Sequence, residues 1–128
     1  MIIDSSAVVA IILKEPGFVD LVDKLSMTAY AGIGAPTLLE AAIVLSARLK
    51  RDARGILARF IQEAAVVVVP FTDAHFGDAV NAWLRFGKGR HGAALNFGDC
   101  LAYATARGAR QPLLCVGGDF AKTDVEIA

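Results

Sequence analysis

Short apolar runs alternate along this chain with longer stretches of helical periodicity, and that alternation restricts the fold more than any other feature. Ile2-Ile3 opens as a strand. Ala7 to Leu13 reads as a helix that ends before Pro16, and Phe18, Val19, Leu21, Val22 and Leu25 recur at helical spacing. Tyr30 to Ala35 forms a second strand, interrupted by Gly32 and Gly34. Pro36 suits the first turn of a helix, which Leu38, Leu39, Ala42, Ile43, Leu45 and Leu49 carry on. Ile56, Leu57, Phe60 and Ile61 mark another amphipathic helix. Val66 to Val69 is a β-branched run stopped by Pro70, expected as a strand buried on both faces. Thr72 or Asp73 can cap the next helix, with Phe76, Ala79, Val80, Trp83 and Leu84 expected on its core face. Asn96 can cap a helix to about Arg107, with Gly108 as its stop. Pro112 to Val116 is the last clear strand, and Val125 to Ile127 a short edge one.

The crossovers between strands are long enough for parallel pairing. The expected architecture is α/β, a three-layer α/β/α sandwich with a mostly parallel sheet. At 128 residues it makes a single domain, 1–128, with a real core. Apolar residues supply 55% of the chain, as a sheet covered on both faces requires. No apolar run reaches the ~18–20 residues of a membrane span. The Ala7–Leu13 stretch is preceded by Asp4 rather than by the basic residues of a secretory leader, so a cytoplasmic location is expected. Cys100 and Cys115 have no metal-ligand spacing and are expected to be reduced, buried and inert.

Net charge is zero but uneven: between Ser46 and Phe60 stand five cations and one anion. Such a segment could attract a polyanion. Arg48, Arg51 and Arg54 also recur every third residue, as a solvated helix face does.

Acidic residues stand where strands stop or helices start. Asp4 follows the first strand, Glu40 lies in the second turn of the Pro36 helix, and Asp99 lies in the first turn of the Asn96 helix. Asp119 follows the last clear strand after Gly117-Gly118, with Asp124 its rival for the fourth position. Each has a purely local reading, as cap, dipole partner, surface charge or turn residue. Open parallel sheets, however, build sites beyond the carboxyl ends of their strands, where such positions can converge. Mg²⁺ and Mn²⁺ prefer oxygen ligands, and a carboxylate cluster that holds them suits phosphate-ester hydrolysis. Carboxylates gathered without a cation repel, so raised pKa values are expected.

Several segments together resemble the PIN-domain ribonucleases of the VapC toxin type. They are Ile2-Ile3-Asp4-Ser5-Ser6-Ala7, Pro36-Thr37-Leu38-Leu39-Glu40, Phe86 to His91 leading into Leu95 to Ala104, and Gly118-Asp119-Phe120 with Thr123-Asp124. The stretch from Gly87 to Ala104 is the most specific. The resemblance implies a Rossmann-like PIN fold and an endoribonuclease dependent on Mg²⁺, with Mn²⁺ as a substitute. It also implies a homodimer, and inhibition by a VapB-type antitoxin whose tail covers the active site. On the family's pattern Asp4, Glu40, Asp99 and Asp119 are the acidic, metal-binding positions. Ser6 falls on the hydroxyl position that steadies Asp4 or a metal-bound water. A water oriented by Glu40 would attack the phosphodiester in line, leaving a 5′-phosphate and a 3′-hydroxyl. Lys88, Arg90 and His91 are candidate contacts to the RNA substrate, and a flexible solubilising loop is the alternative for them. His91 is also a candidate general acid, whereas His75 reads as a surface residue at a helix start. Two other functions stay open. One is a metal-dependent phosphatase of the haloacid-dehalogenase type, which wants a second aspartate where Ser6 stands. The other is a non-catalytic RNA- or protein-binding module.

Overall fold

A computed structural model describes residues 1–128. The elements are β1 (Ile2–Ile3), α1 (Ser5–Ile12), α2 (Phe18–Met27), β2 (Gly32–Gly34), α3 (Ala35–Leu49), α4 (Arg54–Glu63), β3 (Val67–Val69), α5 (Asp73–Phe86), α6 (Phe97–Ala109) and β4 (Leu113–Leu114), followed by a 3-10 turn at Phe120–Lys122. All strand pairs are parallel and the order is β3-β2-β1-β4. Ile127 adds an isolated parallel bridge to Leu113, so the expected C-terminal edge strand is one pairing long.

Side-chain alternation on the strands divides the interior into two layers. Ile3, Ile33 and Leu114 face one way and pack with residues of α1, α2, α3 and α4, including Val8, Leu21, Leu45 and Leu57. Ile2 and Leu113 face the other way, against Ala82 and Phe86 of α5 and Ala102, Tyr103 and Ala106 of α6. The α/β/α sandwich follows, with β1, β2 and β4 all buried inside it. The chain runs outward from β1 through β2 to β3, then returns to pair β4 with the other side of β1. That reversal puts the switch point beside β1, where a parallel sheet opens a crevice at its carboxyl edge.

Two expectations about apolar segments are corrected. Val66–Val69 is not a fully buried strand: Val67 is 50% exposed and Val68 is also exposed, because β3 is the edge strand. On α5, Phe76, Val80, Trp83 and Leu84 are exposed, and the residues that enter the core are Ala82 and Phe86. The apolar stripe exists at the expected period but faces outward. A smaller correction concerns α6, which runs past Gly108 and ends at Arg110 in the left-handed region, φ 52°. The His75 ring abuts Gly108 there, and its Nδ1 accepts from the Thr72 amide at 3.0 Å, which completes the cap of α5. The basic segment is largely neutralised at the surface. Arg48 pairs with Glu15, Arg54 with Asp52 and Arg59 with Glu63. Arg48, Arg51 and Arg54 do not share the helix face that their spacing suggests, because α3 ends at Leu49 and α4 begins at Arg54.

Candidate active site

Asp4 leaves the end of β1 and its side chain caps α1, as its local reading expects. Its Oδ2 accepts from the Ser6 amide at 3.0 Å and from the Ser6 hydroxyl at 2.5 Å. It is only 4% exposed, and none of the chain's ion pairs includes it. Burial pushes its pKa up, and the Ser6 bonds offset part of that rise. Ser6 also accepts from the Val116 amide at 3.0 Å. One hydroxyl thus ties the end of β1 to the segment that follows β4.

Glu40 projects from α3, half-buried, towards the start of α6. Its carboxylate lies against Gly98, close enough that a Cβ added there would stand 2.7 Å from Oε2 and 2.8 Å from Cδ. Burial raises its pKa; the Ser5 hydroxyl lowers it; the charges of Asp4 and then Asp99 raise it further. Asp99, in the first turn of α6, serves as a cap partner as well. Its Oδ2 accepts from the Asn96 amide and Asn96 Oδ1 accepts from the Asp99 amide, each at 2.9 Å. Its pKa is raised by burial, then by Asp4 and Asp119. Burial comes first at all three carboxyls; neighbouring negative charge adds to it at Glu40 and Asp99, whereas burial alone raises Asp4.

Asp119, exposed, precedes the 3-10 turn, and its charge reaches Asp99. Asp124 is held elsewhere. It accepts from the Tyr103 hydroxyl at 2.6 Å and from Arg85 at 3.0 Å, and the Tyr103 bond, more than Arg85, keeps its pKa low. Among the two rivals, Asp119 is the one beside the cluster. Cys115, which the sequence marked only as an inert thiol, sits there too. Its pKa is pushed up to about 11 by burial and then by the charges of Asp4 and Asp99, so it remains a neutral thiol. Its place just after β4 matches that of Asp4 after β1, the one signal that would have found it.

The glycine-rich loop is built rather than loose. Arg90 lies over the Trp83 ring at 4.7 Å and donates to the Leu84 carbonyl at 3.2 Å. His91 Nδ1 accepts from the Ala93 amide at 3.0 Å, and its ring meets Phe86 edge-on. Lys88 is exposed and outside every ion pair, which makes it the freest cation of the three.

No set of three or more His, Cys, Asp or Glu side chains stands in a metal-holding arrangement. The carboxylates are near enough to raise one another's pKa but are not gathered into a chelate. Their chemistry nonetheless fits a hard divalent cation. They are oxygen donors, partly or deeply buried, and no lysine or arginine pairs with them. Beside them opens an apolar cavity of about 920 Å³ between α3, α5 and the start of α6, reaching from Glu40 and Gly98 to Phe76, Val80 and Trp83.

The PIN domain family matches residues 1–126. Ribonuclease VapC36 of Mycobacterium tuberculosis is 48% identical over 127 residues, covering 98% of this chain and 91% of the relative. Ribonuclease VapC28 of the same organism is 40% identical over 129 residues, covering 100% and 97%. Among solved structures, M. tuberculosis VapC20, described as a sarcin–ricin-loop-cleaving toxin, superposes with a TM-score of 0.79 at 18% identity, over 99% of this chain and 97% of that one. A toxin–antitoxin complex from Klebsiella pneumoniae matches with a TM-score of 0.72 at 16% identity, over 99% and 95%. At those identities the structures show the fold, a PIN-type α/β/α sandwich. With the family match over nearly its whole length and VapC ribonucleases at up to 48% identity, the chain belongs to the PIN-domain family of VapC ribonucleases.

Proposed function

We propose that this chain is a divalent-metal-dependent endoribonuclease, the toxin of a toxin–antitoxin pair, acting in the cytoplasm as a single domain. The observation that carries the reading is Asp4: a carboxylate 4% exposed, without a cationic partner, coupled to Glu40 and Asp99 at the switch point of the sheet. Asp4, Asp99 and Asp119 would hold Mg²⁺ or Mn²⁺, with Glu40 as a direct or water-bridged ligand. The bound cation would polarise a phosphoryl oxygen and ease deprotonation of water. Ser6 keeps the Asp4 carboxylate oriented, and Glu40, half-buried against the start of α6, would orient the attacking water. Lys88, exposed and outside every ion pair, would contact RNA phosphates. Arg90 and His91, both exposed, would add further RNA contacts from a loop held through Trp83 and Phe86.

The exposed apolar residues of α3 and α5 would form the contact between two copies in a homodimer, since patches of this kind mark protein interfaces. A VapB-type antitoxin would block the acidic centre with a cationic side chain, which supplies the charge that Asp4, Glu40 and Asp99 lack. The phosphatase alternative loses ground, because Ser6 occupies the place of its second aspartate and is committed to Asp4 and the Val116 amide.

The test is incubation of the purified chain with structured RNA. Cleavage in Mg²⁺ that disappears with chelator and with Asp99→Asn supports the nuclease. Equal cleavage by Asp99→Asn would remove Asp99 from the site. RNA binding without cleavage in any divalent cation would favour the non-catalytic module.

A further inference from the structure

Gly98 is the second residue of α6, and nothing in the backbone calls for glycine there. It is absent from the glycines with positive φ, which are Gly17, Gly89 and Gly117. Glycine is also the poorest helix former after proline. The three atoms nearest to a Cβ built at this position all belong to one group, the carboxylate of Glu40. Gly55 is the second residue of α4, the equivalent helical position, and a Cβ there meets nothing within 4 Å.

We propose that Gly98 is a positioning residue: its missing side chain is the space in which the Glu40 carboxylate rests beside Asp99. The proposal rests on the nuclease reading and adds to it a steric determinant that is neither acidic nor a ligand. The obstruction is the end of a flexible side chain, not backbone. An added methyl group is therefore accommodated by moving the carboxylate, while α6 gains helix propensity. Fold and site then respond in opposite directions to one methyl group. Since Glu40 acts from a fixed place, a displacement of its carboxylate lowers turnover more than binding of RNA.

The experiment compares G98A and G55A in the full chain. G98A is expected to keep or raise Tm and to lower kcat roughly 10-fold or more at little-changed KM, as mispositioning of a catalytic group does. G55A is expected to keep or raise Tm with activity unchanged. In an E40D background, where the carboxylate is withdrawn by one methylene, adding G98A should cost less than about 2-fold, the near-complete loss of additivity expected of touching residues. The Glu40 side-chain carboxyl ¹³C resonance of the metal-free protein, recorded at one pH, should move in G98A and stay in place in G55A. That measurement needs no activity. Full activity with an unmoved resonance in G98A would overturn the proposal, and so would a G98A chain that fails to fold. A wild type that cleaves no RNA would overturn the nuclease reading instead; the resonance would then still decide whether Gly98 sets the place of Glu40.

Discussion

The Ser6 hydroxyl donates to Asp4 Oδ2 across 2.5 Å and in the same position accepts the Val116 amide, so a single side chain couples the acid at the end of β1 to the chain beyond β4. Ser6→Ala keeps the backbone bond to Asp4 but frees the carboxylate to rotate and orphans the Val116 amide. Stability should fall by about 1 kcal/mol, the usual net worth of such a bond. RNA cleavage should fall ~10–100-fold, as for other residues that orient a ligand. Denaturant melts beside initial cleavage rates would check both, and a change in stability alone would reduce Ser6 to a structural residue.

Asp99 holds two jobs that substitution can separate. Asparagine retains an oxygen to accept from the Asn96 amide, whereas alanine does not. Asp99→Asn should therefore keep its melting temperature, or raise it at neutral pH by removing a disfavoured charge, and lose cleavage. Asp99→Ala should lose both, at a cost of about 1 kcal/mol for the broken cap. Mn²⁺ should raise the Tm of the wild type but of neither variant, because only the wild type has the Asp99 carboxylate beside Asp4 and Glu40.

The metal-free protein should be most stable at mildly acidic pH. Asp4, Glu40 and Asp99 all have folded pKa values above the ordinary carboxyl range, chiefly through burial. Between the ordinary and the raised values the folded protein holds more protons than the unfolded chain, so stability is lost as pH climbs through that window. Tm measured in chelator should accordingly drop from the low end of the window to neutrality. Asp4→Asn should flatten the slope most, since Asp4 is the most buried of the three. A Tm that rises over the same interval would show that these carboxyls are not held out of water.

The outward stripe of α5 gives a direct test of the homodimer. Phe76 is 66% exposed and Val80 41% exposed, so neither anchors the core of the monomer. Phe76→Glu with Val80→Glu should alter the monomer's stability by no more than ~0.5 kcal/mol each, as for ordinary surface positions. Sedimentation should nevertheless show the variant as a monomer where the wild type is a dimer. A variant that stays dimeric would move the interface to another surface.

The local elements were legible in the residues. Strand alternation at Ile2-Ile3, Pro36 in the first turn of α3 and Asn96 capping α6 act within a few positions, and each appears where the sequence puts it. The acids Asp4, Glu40 and Asp99 were legible as well, because their places at strand and helix ends follow from the same local signals. The family resemblance supplied their chemistry. What the tertiary structure alone decided is which side of a periodic element is covered. The α5 stripe of Phe76, Val80 and Trp83 has the period of a core face, yet period says only that apolar residues share a face, not that the monomer lies against it. Val67 and Val68 are exposed for a similar reason, since strand order, not strand composition, makes β3 the edge. Asp119 and Asp124 are both turn aspartates to a reader of residues, and they part only when Tyr103 and Arg85 arrive from distant helices to claim Asp124. Gly98 was invisible for the same cause: its meaning lies in the Glu40 carboxylate, 58 positions away along the chain and in contact only once α3 and α6 have packed.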